Sequence, residues 1–443
     1  MKAILLDGSG ASDTTGERVR AALSAQLQAQ GWDIEHVVLW DKTIGNCGGC
    51  FHCWIRTPGT CRFDDDNRTI AAALADSDLM VYLTPITFGG YSSTLKSMVD
   101  HQIQNVSPFF KEIEGETHHY KRYKDNPALL AVGWMDAPDQ QSEAVFRRLV
   151  QRNALNWHAK PWVSHVVLAS QSNGALQASA QSWLDGLQRG QSSQRAELPT
   201  NVDGLAALSE GPGYGGVEVR RALLLVGSPR TRKSASNLLG GYLFEQLGAQ
   251  SVQTETIYLH TVLSSPEKTQ ALLDAVDASD LVTLAFPLYV DSLPAPVIKA
   301  LERIAAHRQG RDPSRRQLFT AIANCGFPEA HQTATALAIC EIFARQAGFE
   351  WAGGLALGGG GMVGGATLVE AGGRTLHIRR ALDVAAEALI QGQAIPQAAR
   401  DILGKPVVPG WAYRLMSGLG WLQQAKHYRA LRLLSRKPYP ANA

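Results

Sequence analysis

The sequence predicts an α/β protein made of two copies of one domain, each a doubly wound parallel sheet with helices on both faces. Three observations carry this. Short apolar runs alternate with segments of helical periodicity. The same succession of landmarks occurs twice, over residues 2–91 and again over 222–289. A stretch rich in Gly, Ser, Gln and Pro, residues 186–217, separates the two.

In the first copy, residues 2–6 are an apolar run ending at Asp7-Gly8-Ser9-Gly10, a buried strand entering a turn. Val19, Leu23 and Leu27 then recur at helical spacing until Gly31 stops them. Residues 34–39 are a second short strand. A cysteine-rich stretch follows, then a helix around 70–74. Residues 79–83 form a third strand that runs into Thr84-Pro85-Ile86-Thr87-Phe88-Gly89-Gly90-Tyr91. Strands this continuously apolar are buried on both faces, as in a parallel sheet.

The second copy repeats the grammar. Residues 222–226 are a strand ending at Gly227-Ser228-Pro229-Arg230, residues 238–247 a helix stopped by Gly248, and residues 251–259 the second strand. Asp280-Leu281 opens the third strand, which ends at Phe286-Pro287-Leu288-Tyr289. Gly8-Ser9 and Gly227-Ser228 are 219 residues apart, whereas Asp78-Leu79 and Asp280-Leu281 are 202 apart, as are Pro85 and Pro287. The first copy is therefore 17 residues longer between these landmarks, and the cysteine stretch is what the second copy lacks. The expected division is a first domain over 1–185, a linker over 186–217, a second domain over 218–404 and a tail over 405–443.

Composition narrows the class. Of 443 residues, 45% are hydrophobic and 19% charged, as in an ordinary globular protein of two to four domains. A net charge of +2 gives no reason to expect nucleic acid as a partner. The start, MKAILLDGSG, reads as a strand and turn rather than a signal peptide, and no window has the apolar length of a membrane span. A cytoplasmic location is expected, where thiols stay reduced. The tail carries seven Lys or Arg and no acid, and Trp411, Leu415, Leu422, Leu431 and Leu434 make it amphipathic. It reads as a basic helix packed on the body or on a second subunit, with peripheral membrane contact as the other use.

Four of the six cysteines, Cys47, Cys50, Cys53 and Cys61, fall in one stretch with the spacing C-x2-C-x2-C-x7-C. Three cysteines two residues apart curl a loop so that their thiolates converge, and the fourth closes the shell. Four thiolates suit an iron–sulfur cluster or, less well, a zinc ion; a pair of disulfides is the remaining reading. Cys325 and Cys340 lack such spacing and read as small buried hydrophobes.

In an open parallel sheet, ligands bind beyond the carboxyl ends of the strands. After the first strand of the second copy, GSPRTRKSASN sets Ser228, Ser234 and Ser236 before a helix, a phosphate cradle of amides and hydroxyls. The first-copy loop, GSGASDTTGE, has Ser9, Ser12 and Thr14, but Asp13 and Glu17 oppose a phosphate. Neither loop is a G-x-G-x-x-G or a GK[ST] motif. After the third strand, TPITFGGYSSTLK suits the polar edge of a flat heterocycle; its counterpart, FPLYVDSLPAP, keeps Pro287 and an aromatic but lacks the glycines. The loops after the fourth strands are Gly133-Trp134-Met135-Asp136 and Asn324-Cys325-Gly326-Phe327.

These loops and the sheet grammar resemble the flavodoxin-like fold, with five-stranded sheets, and within it the NAD(P)H-dependent FMN reductase family. The insertion CGGCFHC…GTCRFDDD resembles the cysteine motif of the iron–sulfur flavoproteins of that family. The resemblance implies a 4Fe–4S cluster on Cys47, Cys50, Cys53 and Cys61. It implies an FMN phosphate at Ser9, Ser12 and Thr14, with the flavin ring bordered by Pro85, Ile86, Thr87, Phe88, Gly89 and Gly90. For a second FMN it implies Ser228, Arg230, Ser234, Ser236, Pro287, Leu288 and Tyr289. The expected function is an oxidoreductase moving electrons between NAD(P)H, FMN and the cluster, with no dedicated catalytic side chain. Its partners are an electron donor or acceptor, protein or small molecule, and a homo-oligomer is expected. A zinc-stapled flavin reductase and a non-enzymatic electron carrier are the alternatives.

Overall fold

The computed structural model describes residues 1–194, 197–198, 217–310, 316–363 and 367–439. It divides into two compact units, Met1–Glu197 with Arg414–Ala443, and Leu198–Tyr413. In the first, β1 (Lys2–Asp7), α1 (Thr14–Ala29) and β2 (Asp33–Val38) lead into the cysteine loop, which contains the one-turn α2 (His52–Ile55). Then come α3 (Asp66–Ala75), β3 (Leu79–Pro85), α4 (Ser93–His101), a hairpin of β4 (Val106–Ile113) and β5 (Glu116–Lys121), β6 (Ala128–Met135), α5 (Gln140–Trp157), β7 (Trp162–Leu168) and α6 (Asn173–Gln188).

The five long strands are parallel in the order β2-β1-β3-β6-β7. Ala3 and Leu5 of β1 pack with Val19, Leu23 and Leu27 of α1 and with Leu176, Ala180 and Trp183 of α6. Ile4, Leu6, Met80 and Tyr82, of opposite parity, are equally buried, so the sheet is covered on both faces. Each such side chain contributes about 1.5–3 kcal/mol of burial. Asp13 begins α1 by accepting the Gly16 N–H, and Gly31, at φ 77°, ends its turn.

The hairpin is antiparallel and turns at Glu114-Gly115, both at positive φ. That turn is the one local signal, an acid-glycine pair between alternating residues, that marks it in the sequence.

The second unit runs β8 (Arg221–Val226), α7 (Ala235–Ala249), β9 (Gln253–Tyr258), α8 (Leu259–Val262), α9 (Pro266–Ala278), β10 (Leu281–Pro287), α10 (Ala295–Arg308), β11 (Leu318–Asn324), α11 (Ala334–Gln346), β12 (Glu350–Leu357), α12 (Leu376–Ile390) and α13 (Gln397–Leu403). Its parallel sheet is ordered β9-β8-β10-β11-β12, the same 2-1-3-4-5 arrangement as the first. Both units are thus flavodoxin-like, with five parallel strands as the sequence predicts. Cys325 and Cys340 are buried, and all six cysteines are free.

Residues 186–188, counted with the linker in the sequence reading, continue α6, and most of the rest of that stretch lies outside the described residues. In the tail, α14 (Gly410–His427) precedes a short run to Tyr439, and everything from Arg414 belongs to the first unit. No helix among the described residues is long and apolar enough to cross a membrane.

Candidate functional site

Cys47, Cys50, Cys53 and Cys61 line one pocket of the first unit, together with Phe51, Phe63, His101, Ile103 and Gln104. The chain reaches this convergence by two left-handed residues, Gly49 at φ 55° and Phe51 at φ 56°, which bend it on either side of Cys50. Phe51 stacks on Trp54 with ring centroids 4.9 Å apart, and the Trp54 indole donates to the Ile103 carbonyl at 2.8 Å. Those contacts fix α2, and with it Cys53, against the segment after α4.

Cys61 is held from the same side. Its N–H donates to Gln104 Oε1 at 3.0 Å, and its carbonyl accepts from Arg68 Nε at 3.0 Å. His101 closes the frame, with Nε2 2.6 Å from the Gly45 carbonyl and Nδ1 3.6 Å from the Cys61 sulfur. A carbonyl only accepts, so Nε2 carries a proton. Asp65 caps α3 through Asn67 N and accepts the Gly45 N–H; against the cost of burial, these bonds hold its carboxyl below the usual range. Arg68, His101, Ile103 and Gln104 lie outside the cysteine motif, so spacing alone did not reveal them.

The thiols raise one another. Burial, then the buried Asp100 carboxylate, and then Cys61 and Cys50 push Cys47 up to about 12. Burial and the three other thiols push Cys53 well above its ordinary value, and burial raises Cys61. Four thiolates at this spot need a cation among them. Among the described residues, no group of three or more His, Cys, Asp or Glu side chains is arranged to hold a metal ion. The donor set itself, four sulfurs in a partly apolar pocket, suits a soft metal centre.

The end of the chain braces this loop. Arg122, buried, donates to the carbonyls of Gln104 and Val106 on one side and of Leu434 and Arg436 on the other. Tyr439 Oη donates to Gln104 Oε1 at 3.2 Å, the oxygen that holds Cys61. Gly59 packs so closely on Pro438 that a Cβ there would collide with it. His52 and Arg56 lie against the Tyr428 ring, at 5.7 and 5.8 Å.

The candidate flavin crevices lie at the carboxyl ends of the central strands, and the two units differ there. In the first unit the ring loop is a tight turn, Thr87 and Gly90 exchanging N–H···O bonds of 3.0 and 2.7 Å around Phe88 at φ 53° and Gly89 at φ 79°. Pro85, Ile86 and Thr87 are half-buried beside it. Ser92 ties this loop to the first, donating to the Gly8 carbonyl at 2.7 Å. The phosphate end is closed. The Asp13 carboxylate accepts the Gly16 N–H at 3.0 Å and the Trp134 indole N–H at 3.0 Å. Ser9 is buried beneath Gly16 and Trp134, while Ser12 and Thr14 point to the surface. An internal carboxylate takes the place of an anion, and these residues do not fit a phosphate.

The second unit keeps the ring-loop turn without glycines. Tyr289 and Ser292 exchange bonds of 2.9 and 3.1 Å around Val290 at φ 47° and Asp291 at φ 57°. A β-branched residue there stores about 1–3 kcal/mol of strain, so the shape of this loop is maintained against propensity. At its phosphate end Ser234 caps α7 through Asn237 N at 3.1 Å, and Arg230 N donates to Ser228 Oγ at 3.4 Å. Asn324 donates to Ser236 Oγ at 2.9 Å. Trp134 and Asn324 are equivalent, paired with Pro85 and Pro287 respectively. A bulky indole in one crevice is thus a small amide in the other. The loop over 227–237 carries Arg230, Arg232 and Lys233 and no acid, and it fits a phosphate.

Fold and loops together define a flavodoxin-like protein with a four-cysteine insertion in one of its two units. The profile of the NADPH-dependent FMN reductase family matches residues 1–147 and 220–351, once in each unit, and the chain belongs to that family. It is similar to an iron–sulfur flavoprotein of Methanocaldococcus jannaschii, 34% identical over 101 residues, which are 23% of this chain and 51% of that protein. It is also similar to an iron–sulfur flavoprotein of Archaeoglobus fulgidus, 24% identical over 103 residues, 23% of this chain and 46% of that protein. The chain spans about half the length of the curated relatives it matches. Among solved structures, an FMN-dependent NADH-azoreductase of Bacillus anthracis in complex with FMN aligns over 39% of this chain and 99% of that one, at 14% identity and a TM-score of 0.31.

Proposed function

We propose that this chain is an NAD(P)H-dependent flavin oxidoreductase that holds a 4Fe–4S cluster in the first unit and FMN in the second. The observation that carries this reading is the convergence of Cys47, Cys50, Cys53 and Cys61 on one braced pocket of an FMN-reductase-type domain. FMN, when bound, accepts a hydride and passes electrons singly, and a cluster relays them. The chain's own work is to bind and orient. Ser228, Ser234 and Ser236, with the cations of that loop, would hold the FMN phosphate, and Pro287, Leu288 and Tyr289 would border its ring. Cys47, Cys50, Cys53 and Cys61 would hold the cluster. Asp13 argues against a second FMN in the first unit. The chemistry asks for no dedicated acid or base among the side chains.

The test is a count of FMN, iron and sulfide per chain in anaerobically purified protein. One FMN and about four irons are expected, with a broad visible shoulder that dithionite bleaches. Flavin without iron and sulfide would sink the cluster. Stoichiometric zinc without colour would make the cysteines a structural staple instead. Cys50→Ser is expected to lose iron and keep most of the FMN. Steady-state oxidation of NADH and NADPH with ferricyanide as acceptor separates a reductase from a carrier, since a carrier oxidises neither.

A further inference from the structure

The two faces of α14 have different fates. One faces the first unit: the Trp421 ring packs edge-on against Phe51 at 5.3 Å and Trp54 at 5.4 Å, Ala425 is fully buried, and Arg414 pairs with Glu112 at 2.8 Å. On the other face, Leu415 is 59% exposed, Leu419 60% and Leu422 40%, with Met416 beside them at 53%. These leucines recur at helical spacing, and Lys426 continues their row one turn on. Past the helix, Leu431 and Leu433 are also exposed, among the exposed Arg429, Arg432 and Lys437. No acid occurs anywhere from 405 to 443. The result is an apolar stripe whose charged neighbours within the segment are all cations, with Glu112 answering Arg414 alone at its start.

Charge decides what covers it. A symmetric dimer through this face would set each cationic border against its own copy, so self-association is disfavoured. An acidic protein would answer the cations but offers no reason for a row of bare leucines. A bilayer with anionic headgroups answers both, taking leucine and methionine at acyl depth and Lys and Arg at phosphate depth. The helix does not span a membrane, so it would lie in the plane of the interface. We propose that the outer face of α14, with the basic segment after it, docks the protein on a membrane surface rich in anionic phospholipid.

The experiment is sedimentation of the full-length flavin-loaded chain with vesicles of phosphatidylcholine alone and of phosphatidylcholine mixed with phosphatidylglycerol. Binding to the mixed vesicles that weakens with salt is expected, with little to the neutral ones. Leu419→Glu should reduce it at least about tenfold, and Lys426→Gln with Arg432→Gln roughly fivefold per cation removed. All three side chains are exposed, so flavin absorbance and far-UV circular dichroism should not change. Should L419E fail to fold, the cation variants and the salt dependence still decide. Absence of binding to the anionic vesicles overturns the proposal, as does equal binding to both kinds. Vesicle-independent self-association that L419E dissolves, or retention by polyglutamate but not by vesicles, overturns it as well.

Discussion

Asp13 and Ser234 occupy the same place, each the cap of the helix after the first strand of its unit, and they differ by a charge. As caps they are equivalent, since a carboxylate and a hydroxyl both accept the orphan amides of the first turn. As hosts for a phosphate they are opposites. Ser234→Asp is therefore expected to leave stability within about 0.5 kcal/mol while weakening FMN binding at least about tenfold, because it sets a fixed anion where the phosphate belongs. Equilibrium dialysis of FMN, with thermal melting as the control, checks both halves. Retention of wild-type affinity would move the flavin to another site. Glu341 makes a separate statement about pH. Burial raises its carboxyl to about 7, although Arg400 and Arg345 pull it down. The folded chain then holds this proton more tightly than the unfolded one. Its stabilising share is complete below the unfolded value near 4.5 and is lost as pH rises through about 7. Melting curves at pH 5.5 and 8 should show the second unit weaker at the higher pH, and Glu341→Gln should flatten the difference.

At the scale of elements, the two ring loops teach that a turn can outlast its sequence. Phe88-Gly89 and Val290-Asp291 share no residue type, yet both sit at positive φ inside the same reciprocal hydrogen-bonded turn. Missing glycines made the second loop look altered, whereas the backbone is the same. The reverse holds at the cysteine loop. Its spacing was readable at once, but its brace is assembled from α4, the segment after it, and residues more than 300 positions away. Arg122 is the keystone of that brace. Replacing it by Gln leaves the buried carbonyls of Val106 and Leu434 without this donor, a loss of about 1–3 kcal/mol. Arg122→Gln is expected to release iron to a chelator faster than the parent protein, with FMN content unchanged. Unchanged release would show that the chain end is a bystander to the pocket.

At the scale of the whole molecule, duplication has let the copies diverge. The first unit carries a cysteine loop, a hairpin and a C-terminal brace, and Asp13 and Trp134 meet at the loop after its first strand. The corresponding loop of the second is cationic. If the division of labour holds, titrating apoprotein with FMN should saturate at one per chain, and Asp13→Ser should not raise that number while Trp134 still fills the crevice. A count of two in the parent chain would return a flavin to the first unit.

The sequence by itself determined the class, the duplication, the first three strands of each copy and the four thiols, because these rest on local periodicity, on a repeated register and on a spacing within one short loop. The warning in Asp13 was also legible, since a carboxylate in a phosphate loop is a matter of charge and needs no coordinates. Only the tertiary structure decided what that carboxylate does, by bringing the Trp134 indole to it from the fourth strand of the sheet, 121 residues away. It alone placed His101, Gln104, Arg122 and Tyr439 around the cysteines and left one face of α14 bare. Those relations depend on which distant segments the sheet order and chain path bring together, and no local pattern in a sequence encodes a neighbour that arrives from another part of the fold.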